Sequence, residues 1–217
     1  MVNFQTIEIA GFAPAIAGMR HPFKSYDKGD SYYDDKGMFY IGENDYNLAK
    51  KLCQAGSPEH AKFLRQINVW VNITAPRFWW SEFDTYKIGT VANSQSTMHT
   101  LIRDGVKEED LYFYFGEDIE ANKAMRDYLK AINDLINLYK TLDIEEIKYQ
   151  YFEKIKAMLP EGYVQTRMVS LNYQVLRNMY NQRKNHKLSG WNTDFVNWIH
   201  TLPCHSFIDG EWEEIKE

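Results

Sequence analysis

Two cysteines, Cys53 and Cys204, are too few for a disulfide framework, and their scarcity predicts a reducing compartment. No apolar run approaches the ~20 residues that a membrane span needs. The N-terminus also lacks a basic segment followed by an uninterrupted apolar stretch. These absences predict a cytoplasmic protein with no membrane partner. Net charge is −5, and no Lys/Arg block is long enough to track a nucleic-acid backbone. The densest stretch, Arg183-Lys184-Asn185-His186-Lys187, has charge enough for one small anion only. The phosphate loop G-x-x-x-x-G-K-S/T, the dinucleotide G-x-G-x-x-G, H-E-x-x-H and G-x-S-x-G are all missing. Of six histidines, only His200 and His205 around Cys204 approach metal-ligand spacing, and no second ligand pair accompanies them.

What is present is ordinary globular usage: 44% hydrophobic and 25% charged residues, enough over 217 residues to bury a sizeable core. Tyrosine is abundant, with 15 copies beside 6 Trp, and both types suit pockets and subunit contacts as well as cores. No repeat or linker divides the chain, so residues 1–217 read as one domain of the α+β class, an antiparallel or mixed sheet with long helices. A short strand is expected from Phe4 to Phe12, then a solvated turn region from Ser25 to Gly37. The aspartates there, Asp27, Asp30, Asp34 and Asp35, lack the spacing of a calcium loop. Asn44 or Asp45 is placed to cap a helix carrying Leu48, Ala49 and Leu52, with Gly56 at its end.

Phe63, Ile67, Val69, Val71 and Ile73 fall at odd positions, which predicts a strand with one buried face. Arg65 would interrupt that face with a charge in need of a partner. Thr74 and Pro76 read as a helix start. Helical stripes follow over Ile119 to Leu142 and from Ile147 to Met158, where Leu159-Pro160 stops the second. Further helices are expected over Met168 to Lys184 and Thr193 to Thr201. In the first of these, Asn172, Val175, Leu176, Met179 and Arg183 would share one stripe. An apolar stripe bounded by Asn and Arg suits the border of a ligand pocket, although Arg183 reaching for solvent and Asn172 acting as a cap would explain it as well. A guanidinium there offers a planar donor fork for a phosphate or an electron-rich carbonyl.

Leu159-Pro160, Tyr163 and the spacing Asn172-x5-Asn178-x4-Arg183 resemble the C-terminal part of the flavin-dependent thymidylate synthases. Gly56-Ser57-Pro58-Glu59-His60 and the strand after it are similar to that family's G-x-x-P-F-E-H segment. Thr85 to His99 lies where the family carries R-H-R-x-x-S-x-N-E-x-S-x-R-Y. Thr85-Tyr86-Lys87 stands for R-H-R, Ser94 for the Glu and Met98-His99 for the closing R-Y, with one residue inserted near Val91-Ala92. The resemblance runs from about Asn44 to Trp191. A four-residue likeness, Leu202-Pro203-Cys204-His205, points instead to classical thymidylate synthases with a cysteine nucleophile, but too little chain follows it for the strands of that fold.

The flavin-dependent resemblance implies an α+β subunit of a homotetramer with sites shared between subunits. It implies methylation of dUMP to dTMP with FAD, NADPH and methylenetetrahydrofolate, without an enzyme thiolate. Carried over residue by residue, His60, Lys87, Asn93, Asn172, Gln174 and Asn178 would line the flavin site. Gln174 stands for a family Arg. Ser96, Lys156 and Arg183 would hold dUMP, with Arg183 and Ser96 nearest the chemistry. Related expectations are a flavin-dependent modification of another pyrimidine nucleotide, a catalytically silent nucleotide-binding paralogue, or a plain oligomeric interaction protein.

Overall fold

The computed structural model describes residues 1–57, 59–112 and 117–212. In chain order its elements are β1 (Asn3–Ala10), α1 (Phe12–Met19), β2 (Tyr32–Tyr33), β3 (Phe39–Tyr40), α2 (Glu43–Gln54) and β4 (Asn68–Pro76). Then come α3 (Arg77–Phe83), β5 (Thr90–Ser94), α4 (Thr97–Asp104), α5 (Ile119–Thr141), α6 (Glu145–Ala157), β6 (Val164–Asn172) and α7 (Tyr173–Arg183). A π-helical turn, Gly190–Phe195, leads into α8 (Val196–His200), and α9 (Ser206–Asp209) follows. Four strands form a sheet in the order β1-β4-β6-β5, and β2 pairs antiparallel with β3. The class is α+β, as the composition and periodicities imply.

The chain divides into two compact units. One holds Thr74–Thr85 and Asn93–Arg167. Its core is built by the stripes of α5 and α6: Leu129, Ile132, Ile136 and Ile155 are buried with Leu101, Val106 and Leu159. Asp118 caps α5 by accepting from the Ala121 N–H at 2.9 Å, which satisfies one of the helix's orphan donors. Asn133 reaches from mid-helix to bond both N–H and C=O of Val106, so a loop is pinned to α5 without a strand. In the same unit Arg167 pairs with Asp84 at 2.8 Å and lays its guanidinium 4.1 Å from the Trp80 ring centre.

The other unit holds Val2–Ile73, Tyr86–Ala92 and Met168 onward. Val69, Val71 and Ile73 are buried at alternate positions of β4, as expected. The alternation does not extend back to Phe63. Lys62–Gln66 is a 3-10 turn that buries the consecutive residues Phe63 and Leu64. That turn also removes the expected inward charge, because Arg65 points outward and faces Glu59 at 3.5 Å, both exposed. Pro76 ends β4 and is the N-cap of α3, one step later than the expected helix start.

The Ser25 to Gly37 region is more ordered than a solvated turn. Asp34 closes the β2–β3 hairpin by accepting from the N–H groups of Lys36 and Met38. Asp30 accepts from the N–H groups of Asn44 and Asp45, so α2 is capped from a distance rather than by its own Asn44 or Asp45. Asp45 is thereby free to form a buried ion pair with Arg20, Nη2 to Oδ1 2.7 Å, while Ser31 donates N–H and hydroxyl to its other oxygen.

Candidate functional site

The helix expected from Met168 begins only at Tyr173, because Met168 to Asn172 belong to β6. Asn172 therefore does not share a helical stripe with Arg183. It is the N-cap of α7, its Oδ1 accepting from the Val175 N–H at 3.0 Å. The capping role that competed with the pocket role for Asn172 is the observed one. Two residues later Gln174, buried at 8% exposure, donates Nε2–H to Asn178 Oδ1 at 3.2 Å. The Gln174 Oε1 is enclosed and has no hydrogen-bond partner among the described residues. An enclosed orphan acceptor is costly, so it marks a place where a donor N–H would be well received.

Arg183 ends α7 half-buried. Its Nε donates to the Tyr86 hydroxyl at 2.9 Å, and Tyr86 donates in turn to Oε1 of Gln182 at 2.9 Å. The guanidinium carbon lies 5.0 Å from the Trp191 ring centre and 5.6 Å from that of Tyr86. Two aromatic faces and one hydroxyl thus fix a permanent cation in place, whereas an arginine reaching freely for solvent would have no such frame. The neighbouring backbone is tight. Gly89 has φ +78, and a Cβ there would come within 2.9 Å of Val175 Cγ2 and 3.4 Å of Asn172 Nδ2. Only glycine lets the Tyr86–Ala92 segment lie against the start of α7.

The expected site residues fall into two groups, one per unit. Asn172, Gln174, Asn178 and Arg183 lie along α7, Asn172 as its N-cap and Arg183 at its far end, with Gln174 bonded to Asn178 between them. His60 and Lys87 belong to the same unit, both exposed, and among the described residues neither hydrogen-bonds to α7. Pro58, in the segment around His60, lies outside the described residues. The second group is Asn93, Ser96 and Lys156. Asn93 is exposed on β5, and Ser96 is the N-cap residue of α4, where its carbonyl, not its hydroxyl, accepts from His99 and Thr100. Lys156 donates to the hydroxyl of Thr97, next to Ser96. Burial and the nearby Arg77 guanidinium both hold the Lys156 ammonium below its ordinary range, as in a place that would welcome an anion.

Tyr86, Gln182 and Trp191 escaped the sequence analysis as site residues. Tyr86 was visible only as a substitution in the signature segment, and its bond to Arg183 joins residues 97 apart. Cys204 has no place beside them. It adopts φ +50 in the turn between α8 and α9 and lines an apolar cavity of about 560 Å³ with Phe12, Phe39, Tyr40 and Tyr46. Burial pushes its thiol up to about 11.

A flavin presents an imide edge, two carbonyls around an N–H. Amide side chains such as those of Gln174 and Asn178 carry donors and acceptors of the kind that complement such an edge, so their chemistry suits the ring of the cofactor. Where the resemblance calls for a cationic triplet at the flavin, Thr85-Tyr86-Lys87 keeps only the charge of Lys87.

No curated protein sequence matches this chain. Solved structures share its fold. Thymidylate synthase X (ThyX) from Helicobacter pylori with FAD and dUMP superposes with a TM-score of 0.68 at 18% identity, covering 97% of this chain and 98% of that one. A second structure of the flavin-dependent thymidylate synthase ThyX from the same organism, complexed with FAD and dUMP, gives 0.67 at 19%, covering 96% and 98%. At the level of sequence, the family profile of thymidylate synthase complementing protein, Thy1, matches residues 19–195, well upstream of Asn44. The chain belongs to that family, the flavin-dependent thymidylate synthases.

Proposed function

We propose that this protein methylates dUMP to dTMP, using FAD recharged by NADPH and methylenetetrahydrofolate as the one-carbon donor. The observation that carries the proposal is Arg183, a permanent cation held by Tyr86 and Trp191 at the end of α7. Its guanidinium, a planar permanent cation, suits a pyrimidine carbonyl that grows more negative as the ring becomes a nucleophile. Lys156 and Ser96 would hold the nucleotide phosphate, Lys156 because its depressed ammonium regains its proton affinity beside an anion. Gln174 and Asn178 would orient the flavin ring, with His60, Lys87, Asn93 and Asn172 around it. The flavin supplies electron transfer when bound, and the protein's part is placement and charge.

The family relationship supports this reading, as do the FAD and dUMP named in both structural relatives. Exposed Ile88, Val91 and Ile119, at 91%, 69% and 80%, support self-association, and the homotetramer and the cytoplasmic location that the resemblance implies belong to the same proposal. A second reading, a silent nucleotide-binding paralogue or a relative that modifies another pyrimidine, is favoured by one observation: Thr85-Tyr86 stands where the family has Arg-His.

The test is turnover of purified protein with FAD, NADPH, methylenetetrahydrofolate and dUMP, in the native chain and in Arg183→Lys and Arg183→Ala. Formation of dTMP is expected, slowed about tenfold or more by Lys and by ~2–4 kcal/mol of transition-state stabilisation by Ala. No dTMP, with dUMP still bound, would move the protein to the second reading. Unchanged dUMP binding and turnover in Arg183→Ala would remove α7 as the nucleotide site.

A further inference from the structure

The C-terminal turn gathers side chains that the thymidylate chemistry does not use. Helix α8 ends at His200, the chain reverses through Cys204, and α9 closes at Asp209. Gly210 follows at φ +80, the left-handed cap conformation that glycine takes without strain, and it turns Glu211 back toward the end of α8. The Asp209 side chain has no exposure at all. Its Oδ1 accepts from the Glu211 N–H at 2.7 Å, and its Oδ2 accepts from His205 Nδ1 at 2.6 Å. The same Oδ2 lies 3.5 Å from His200 Nε2. One ligand atom each from His200, Asp209 and Glu211 lie within 4.8 Å of one another.

This geometry points to a binding site for a divalent transition-metal ion, with His200 Nε2 and the carboxylates of Asp209 and Glu211 as its protein ligands. Tetrahedral zinc with bonds of 2.0–2.2 Å sets neighbouring ligand atoms about 3.4 Å apart. The separation of His200 Nε2 from Asp209 Oδ2, 3.5 Å, is long for a hydrogen bond and right for two ligands of one ion. Glu211 is exposed, so rotation of its side chain closes the remaining distance without moving the backbone. Two carboxylates converging on an imidazole repel each other, and a shared divalent cation turns that repulsion into binding.

The surroundings are those of an oriented ligand set. His205 donates to Asp209 from outside the triad, the kind of supporting bond that holds a ligating carboxylate in one pose. The Tyr180 phenol hydrogen-bonds the Glu211 side chain from α7. One imidazole and two carboxylates select zinc, cobalt, manganese or nickel over calcium or magnesium, which favour all-oxygen sites. The tail pattern seen in the sequence, His200 and His205 around Cys204, pointed to this turn, but of its three residues only His200 is a ligand here. Cys204 is committed to the apolar cavity and keeps its proton, and Asp209 with Glu211 replaces it. With three protein ligands the ion would clip α8 to the chain beyond α9, and water would complete its shell.

The test uses untagged protein stripped with a chelator. Zinc is titrated by calorimetry and cobalt by its visible absorption, in the native chain and in His200→Ala, Glu211→Gln and Cys204→Ser. We expect one zinc per chain, cobalt bands of a four-coordinate site, and a melting temperature that rises with zinc. His200→Ala and Glu211→Gln should each weaken zinc by about tenfold or more, and Cys204→Ser should not. Melting of each variant without metal separates lost ligation from lost folding, and exposed Glu211 is the substitution least able to disturb the core. Failure of the native chain to bind zinc or cobalt would overturn the site. So would affinity unchanged in both ligand variants, or lost in Cys204→Ser. None of these results depends on whether the chain makes dTMP.

Discussion

Arg183 donates Nε–H to the hydroxyl of Tyr86 at 2.9 Å, in the position where the resemblance to the family calls for a histidine. The tyrosine gives the arginine an acceptor and an aromatic face in place of a second ring nitrogen. Tyr86→Phe keeps the face and removes the acceptor, so Arg183 should lose orientation rather than burial. We expect melting to fall by about 2–4 °C, the equivalent of one hydrogen bond near 1 kcal/mol in a chain of this size. Affinity for dUMP should fall about fivefold for the same reason. Calorimetry of dUMP binding beside thermal melting checks both, and equal affinity in the two proteins would show that Tyr86 does not position the guanidinium.

Gly89→Ala should be costly in a way that Gly56→Ala is not. Both glycines have positive φ, +78 and +74, so each alanine suffers similar backbone strain of about 1–2 kcal/mol. Only at Gly89 does the new Cβ also meet Val175 and Asn172, whereas no described residue lies within 4 Å at Gly56. The difference in melting between the two variants measures the close approach to α7. Nucleotide binding should weaken in Gly89→Ala alone. Equal behaviour would mean that the contact relaxes freely.

Cys204→Ala should leave dTMP formation near that of the native chain. With its thiol pushed up to about 11 by burial, Cys204 is protonated at neutral pH and a poor nucleophile. Loss of turnover in a folded Cys204→Ala protein would restore the cysteine mechanism that Leu202-Pro203-Cys204-His205 suggests.

Asp45 makes stability depend on acid. Burial works to raise its carboxyl, but the Ser31 hydroxyl, the Arg20 guanidinium and two backbone N–H groups outweigh it and hold the group below its ordinary 3.8. A carboxyl depressed by folding adds stability that is complete above its unfolded value and is lost as pH falls through the folded one. Native melting temperature should therefore drop progressively below about pH 3.8. At neutral pH, Asp45→Asn leaves Arg20 buried without its charge partner and should cost ~3–5 kcal/mol. That deficit should shrink in acid, where the native carboxyl is also neutral. Melting curves across the acid range compare the two, and a deficit independent of pH would assign it to packing instead.

Much of the fold is legible where one period dominates a long window. The stripes of α5 and α6 and the alternation of Val69, Val71 and Ile73 each repeat often enough to leave one solution. Short apolar runs do not, because a few residues satisfy a strand period and a helical period together. Phe63–Gln66 therefore read as strand and proved to be a 3-10 turn, and Met168–Asn172 read as helix and proved to be β6. Asn172, Asn178 and Arg183 were visible through the spacing shared with the family, because a helix and its cap keep sequence distance and spatial distance in proportion.

The sequence by itself determined the class, the long helices, the family and the candidate arginine, since each rests on local periodicity or on residues close in the chain. Tertiary structure alone decided what those residues meet. Tyr86 and Trp191 reach Arg183 from separate segments, Asp30 caps a helix from another loop, and Gly210 turns Glu211 toward His200. Such meetings depend on where folding brings distant backbone together, and side-chain chemistry carries no record of that until the core that enforces it has formed.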